Sequence, residues 1–248
     1  MSRHTVLALA ALLCTDPSAR AAAEQDFTMP HVALLGDSVF DNAAYVRGNP
    51  DVIIQLRGAL PAGWQASLVA VDGHVTRDVV TQLQRLPGGT SHLVISVGGN
   101  DALRASGVLE RPTQSVSEAL GLLAEVREHF RAAYREMLDA AQARGLPTAI
   151  CTIYDPRYPD PKRRRLTTTA LSLLNDIITR EAFARGLPLI DLRVLCDEDA
   201  DFANPIEPSA RGGQKIAEAI AALMSLDPGT WRGRVLARPA ASQPQAAP

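Results

Sequence analysis

The chain has 248 residues, 46% hydrophobic and 21% charged, the balance of one ordinary globular domain with tails. Its net charge of −2 excludes a broad electrostatic pull toward nucleic acid or an anionic membrane surface. The three cysteines, Cys14, Cys151 and Cys196, show no CxxC-type spacing, so no metal site is read from them, and nothing in the sequence supports a Cys151–Cys196 disulfide.

The N-terminus opens with weakly basic MSRH, apolar TVLALAALLC and small-residue SARAAA. Two readings of residues 1–28 stand: a secretory signal cleaved near Ala21 or Ala23, or an upstream extension with the functional start at Met29. The first places the protein in the periplasm or outside the cell, the second in the cytoplasm. The apolar stretch is shorter than the ~20 residues that span a bilayer, so stable membrane insertion is not expected. From Met29 onward, strand and helix patterns alternate. HVALLG (31–36) is a short apolar run closed by Gly, the pattern of a buried parallel strand. A helix is predicted over 50–60, a strand over 66–73 and a helix over 75–86, with Val79, Val80 and Leu83 on one face. HLVISVGG (92–99) is the third strand. A long helix follows over 115–144, stopped by Gly145 and Pro147. A fourth strand (147–154), a helix (167–186), a fifth strand (187–192) and a last helix from Ser209 to about Met224 complete the pattern. Between them, Lys162-Arg163-Arg164-Arg165 is the one basic cluster, either a solvated loop or helix start or an anion contact. Residues 29–228 thus read as one domain, and 229–248, ending in Pro, Ala and Gln, as a disordered tail.

Alternating strands and helices imply a parallel sheet covered on both faces. Sites in such sheets lie at the carboxyl ends of the strands. The residues just past the first three strands are Asp37-Ser38, Gly73-His74 and Asn100-Asp101, which all gather on that edge. In LLGDSVFDN (34–42), Ser38 follows a buried strand on a tight turn, a place for a nucleophile and equally for a helix cap. In SVGGND (96–101), two glycines bring the backbone close to something and Asn100 supplies an amide suited to an oxyanion. Gly73 offers a backbone N–H to the same place.

Together these residues resemble the SGNH hydrolases, also called the GDSL family, over about residues 30–226. GDS matches the first block with Ser38 at the nucleophile, Gly73 the second, and GGND the third with Asn100 at the oxyanion position. The resemblance implies a flavodoxin-like three-layer α/β/α sandwich, here with a five-stranded parallel sheet. It also implies ester hydrolysis through an acyl-serine on a small-molecule ester, with an oxyanion hole from Ser38 N–H, Gly73 and Asn100, and no metal or organic cofactor. The last block departs from the family. Where the family shows Asp-x-x-His-Pro, this chain reads NPIEP: Asn204 stands at the Asp position and Glu207 at the His position. No histidine occurs after His129.

A carboxylate can accept the Ser38 hydroxyl, although its reference pKa of ~4.3 against ~6.5 for His costs up to ~3 kcal/mol of driving force before burial is counted. An Asp at 204 would repel Glu207, whereas an Asn amide can donate to it. The two changes therefore read as a pair, Ser38–Glu207–Asn204. His74 is a rival base, with a substrate contact or a turn cap as its other readings. Asp37, Asp41 and Asp101 read as turn and hydrogen-bond supports, while Asn42 and Tyr45 are expected to line the pocket. Three functions stay open: an ester hydrolase using Ser38 and Glu207, a catalytically weak or inactive ligand-binding protein on the same fold, and a nucleotide- or phosphate-binding flavodoxin-like domain. The last lacks a GxGxxG fingerprint after the first strand. Few aromatic residues and no long apolar loop argue against a large lipid-binding lid.

Overall fold

The computed structural model describes residues 29–236. The segment 1–28, Cys14 and the tail from residue 237 lie outside the described residues. Strand β1 (His31–Gly36) is followed by α1 (Val52–Ala59), β2 (Gln65–Leu68), a 3-10 turn (Thr76–Asp78) running into α2 (Val79–Leu83), and β3 (His92–Ser96). Then come α3 (Gly99–Ala105), a second 3-10 turn (Ser106–Glu110), α4 (Val116–Gln142), β4 (Thr148–Cys151) and α5 (Pro161–Arg185). The described residues continue through β5 (Leu189–Ile190), α6 (Leu192–Leu195) and α7 (Ala210–Met224) to β6 (Val235–Leu236).

All six strands are parallel, in the order β2-β1-β3-β4-β5-β6. Alternate residues of each strand face opposite sides, so two cores form. Val32, Leu34, Val94 and Ile190 pack under α1 and α7 through Leu56, Ile216 and Ile220. Ala33, Leu35, Leu93 and Ile95 pack under α2, α4 and α5 through Val79, Tyr134, Met137 and Ile178. This is the expected three-layer α/β/α sandwich.

Three expectations need correction. The sheet has six strands, not five, because β6 adds parallel to β5 with Leu189 opposite Val235. The tail therefore does not begin at 229. Buried Trp231 packs against the His92 ring at a tilt of 49°, 5.5 Å between centroids, and fastens the chain that carries β6. Val235 and Leu236 stand behind Arg232-Gly233-Arg234 with no longer apolar run around them, which is why the pattern misses them. The helix expected from 167 starts at Pro161, a residue preorganised for a first helical position, with Asp160 capping Lys162 N–H and Arg163 N–H. The basic cluster is thereby the first turn of α5. Cys151 and Cys196 are buried free thiols.

Gly36 closes β1 at φ +129°, where a Cβ would collide with the Ser96 carbonyl of the neighbouring strand. Both the conformation and the space require glycine. Gly36→Ala is expected to destabilise the fold by about 4 kcal/mol or more, read as a drop in denaturant midpoint, because strain and overpacking add there. A midpoint within experimental error of wild type would contradict this close approach.

Candidate active site

The turn after β1 is held by a side chain far away in sequence. Gln82 accepts from Gly36 N–H and donates to Gly36 C=O, both at 2.8 Å, so it pairs with the strand end as a neighbouring strand would. Its Nε2 also donates to His74 Nδ1 at 2.9 Å. The Gln82 orientation leaves Nδ1 of His74 as an acceptor, so the ring proton of the neutral form sits on Nε2. The His74 carbonyl in turn accepts from Asn100 Nδ2 at 2.9 Å. Asp101 accepts from both the N–H and the hydroxyl of Thr76 at 2.9 Å. The three strand ends are wired to one another through Gln82, His74, Asn100, Thr76 and Asp101.

Asp37 and Ser38 are buried on this turn. Asp37 Oδ1 accepts from Val39 N–H at 3.1 Å. Burial pushes its carboxyl up to about 8, against the pull of that hydrogen bond, so it is largely protonated at neutral pH. No described residue accepts from the N–H of Ser38 or of Gly73. Gly73 stands at φ +79° on an exposed turn, with its carbonyl accepting from Arg104.

Glu207 reaches the serine from the loop before α7. Phe202 and Pro208 form an antiparallel bridge, and Ala203 N–H donates to Glu207 C=O at 2.9 Å, closing a tight excursion. Asn204 Oδ1 accepts from Ile206 N–H at 2.9 Å and Glu207 N–H at 3.0 Å. Tyr154 donates its hydroxyl to Ile206 C=O at 2.6 Å, Arg157 N–H donates to Pro205 C=O at 2.7 Å, and Asn42 Nδ2 donates to Pro208 C=O at 3.3 Å. Gly212 sits where a Cβ would meet the Asp201 carbonyl, so α7 packs directly on this loop.

So held, Glu207 is 6% exposed, and Ser38 Oγ donates to its Oε1 at 3.1 Å. Its Oε2 is buried with no hydrogen-bond partner among the described residues. Burial pushes the Glu207 carboxyl up to about 7, opposed by the Ser38 hydrogen bond and aided by the charge of Asp72.

The structure therefore brings Ser38, Asn100 and Glu207 to one cavity and corrects three expected roles. Asn204 does not donate to the Glu207 carboxylate; its carbonyl oxygen accepts from the Glu207 backbone, as a turn cap does. Asn42 is fully buried and does not line the cavity, since Val52 N–H and the Pro208 carbonyl occupy its two polar ends. Tyr45 gives its hydroxyl to Asp72 at 2.6 Å, and Asp72 N–H donates to Asp41, which braces the neighbouring turn. Gln82 and Tyr154 carry no signal in the sequence.

The cavity beside Ser38 has a volume of about 680 Å³. Asp37, Ser38, Asn100, Tyr154 and Glu207 stand at its reactive end, and Gly73 and His74 are not among its lining residues. Its walls are Leu103, Val108, Leu123, Val126, Leu166 and Leu174, supplied by α3, the turn after it, α4 and α5. The apolar surface that the sequence argues against is thus built by helix ends rather than by a loop.

Solved structures of low identity share the fold. An extracellular lipase from Streptomyces rimosus is 19% identical with a TM-score of 0.58, covering 79% of this chain and 99% of the other. A phospholipase A1 from Streptomyces albidoflavus is 18% identical with a TM-score of 0.54, covering 79% and 98%. An acetyl xylan esterase is 15% identical with a TM-score of 0.55, covering 78% and 98%. No curated protein sequence matches. A sequence model of one family spans residues 34–215, from the strand that presents Ser38 to the helix that follows Glu207. The chain belongs to that family, the GDSL-like lipases and acylhydrolases, whose members are hydrolases.

Proposed function

We propose that this chain is a serine acylhydrolase that cleaves carboxylic esters with an extended acyl chain, using Ser38 as nucleophile and Glu207 as general base. The observation that carries this reading is the 3.1 Å hydrogen bond from the Ser38 hydroxyl to a buried carboxylate whose pKa is close to neutral. In the first half-reaction Ser38 Oγ attacks the ester carbonyl and its proton passes to Glu207 Oε1. The oxyanion is met by Ser38 N–H and the second amide hydrogen of Asn100. Collapse expels the alcohol, which takes the proton from Glu207, and leaves an acyl-Ser38. In the second half-reaction a water donates its proton to the Glu207 carboxylate as it attacks the acyl carbon. The carboxylic acid and free Ser38 then form, with the proton returned to Ser38 Oγ. The unpartnered Oε2 is the oxygen suited to orient that water. The apolar cavity lies within the size range of ligand sites and receives the acyl chain.

A fluorophosphonate probe is expected to label Ser38, and p-nitrophenyl esters of increasing chain length should be hydrolysed with a preference above acetate. The unpartnered Oε2 also fits a binding protein that holds a ligand without turnover. Absence of both labelling and turnover at every chain length would replace the hydrolase reading with that one.

A further inference from the structure

The first turn of α5 and the ends of α3 and α4 do more than enclose the cavity. On α5, Lys162, Leu166, Ala170 and Leu174 follow one another at steps of four, so they form one stripe, and all four line the cavity. The stripe runs from the buried Leu174 out to Leu166, 48% exposed, and ends in a lysine. On α4, Val116, Leu120 and Leu123 share a face; Leu123 lines the cavity, while Leu120 is 59% and Val116 77% exposed. On α3, Leu103 lines the cavity and is 40% exposed. Four of the nine large hydrophobic residues exposed among the described residues therefore continue the cavity's walls onto the surface. Apolar side chains clustered at a cavity mouth mark an interaction surface.

The charges beside this patch say what it meets. Lys162 and Arg163 line the mouth, with Arg163 stacked on Tyr158 at 4.1 Å, and Arg165 is exposed on the same turn. Of the acidic groups there, Asp160 is engaged as the helix cap, Glu118 on the first turn of α4 accepts from Gln114 N–H, and Glu110 lines the cavity. The whole protein is slightly negative, but at physiological salt only charges within about 8 Å of a surface act on it. A soluble anionic substrate would explain the basic residues and leave the exposed leucines without purpose.

We propose that this face docks onto a lipid–water interface carrying anionic headgroups. The leucines enter the headgroup boundary, Lys162, Arg163 and Arg165 meet the negative charge, and the acyl chain passes along the α5 stripe into the cavity. The docking is independent of catalysis; only the delivery of an ester rests on the acylhydrolase reading.

The test is co-sedimentation of the full-length Ser38→Ala protein with vesicles, which keeps binding apart from turnover. Vesicles of phosphatidylcholine with phosphatidylglycerol are expected to bind it, phosphatidylcholine alone to bind it more weakly, and salt to reduce the difference. Val116→Asp with Leu120→Glu should reduce binding at least tenfold, and Lys162→Glu about fivefold or more. An Asp at the first position of α4 favours the helix, so the pair keeps the fold. In the Ser38 protein the same pair should leave hydrolysis of a short soluble ester unchanged. Failure to bind either vesicle, or binding that the Val116/Leu120 pair does not weaken, overturns the proposal. A dimer dispersed by that pair, with no vesicle binding, would replace it with self-association.

Discussion

Glu207→Gln is expected to lower kcat/KM about a thousandfold, within the range that loss of a positioned general base produces. Gln keeps the shape and an oxygen that can accept from Ser38 Oγ, but it cannot take the proton. Ser38→Ala should lose at least as much. The pH profile distinguishes this mechanism from a structural role. Wild-type kcat/KM should rise with pH and reach half its plateau near 7, because only the ionised carboxylate is a base. Glu207→Gln should lose that rise along with the rate. An aqueous glutamate is about two units too weak for the task against histidine, and burial raises this one by a comparable amount, returning about 3 kcal/mol of driving force. His74 predicts something different. Its Nδ1 is occupied by Gln82 and its carbonyl by Asn100, so it supports the edge rather than the serine. A Glu207→Gln enzyme that keeps its rate would transfer the base to His74.

Much of the scaffold is legible in the sequence because its determinants are local. A buried parallel strand is a short continuous apolar run, as β1, β3 and β4 are, and β5, though only two residues long, sits in the apolar stretch LPLIDL; β6 is as short, follows Arg234 and depends on Trp231 packing against His92. Gly36 of GDS and the first glycine of GGND, Gly98, are legible because each marks a close approach, whereas Gly99 does not. Gly36 meets Ser96, and Gly98, at φ +125°, leaves room only for the side chains of Phe130 and Ile153. Glu207 is legible as a base only through the motif it interrupts, because a carboxylate between Ile206 and Pro208 has no chemistry of its own until Ser38 is beside it. The residues that hold the site are not legible. Gln82 lies 46 residues from Gly36, Tyr154 lies 52 from Ile206 and Asn42 lies 166 from Pro208, and no short-range pattern links such partners. Asn204 shows a different limit. Its residue type invites a bond to the carboxylate, but the amide's own oxygen finds two backbone N–H groups nearer to hand. The cavity is hidden because an apolar stripe on the overhanging turns of α4 and α5 has the same period as one that faces the core.

The same burial that makes Glu207 a useful base should make this fold less stable as pH rises. Glu207 is raised from 4.5 to about 7, and Asp37 from 3.8 to about 8, both chiefly by removal from water. A carboxyl raised in the folded state binds more protons folded than unfolded between the two values. Its contribution is therefore fully present below the unfolded pKa and lost as pH rises through the folded one. Between about pH 5 and pH 8 the loss is on the order of 3 kcal/mol for Asp37 and about 2 kcal/mol for Glu207, from ~1.36 kcal/mol per pH unit. Other groups slope the opposite way: burial lowers His31 and His92, so their share of stability grows with pH. The difference between variant and wild type isolates the carboxyls. Asp37→Asn keeps an acceptor for Val39 N–H and removes the titration, so its stability relative to wild type should grow by about 3 kcal/mol over that range. Glu207→Gln should gain less, with its midpoint at the pH where wild-type activity is half-maximal. Denaturant unfolding of the three proteins across pH measures both. A constant difference between Asp37→Asn and wild type would mean that Asp37 is ionised in the native site, and Ser38 would then work between two charges. A growing difference means that one buried acid stays neutral beside Ser38 while the other titrates, so the protonation state that does the chemistry is the less stable one.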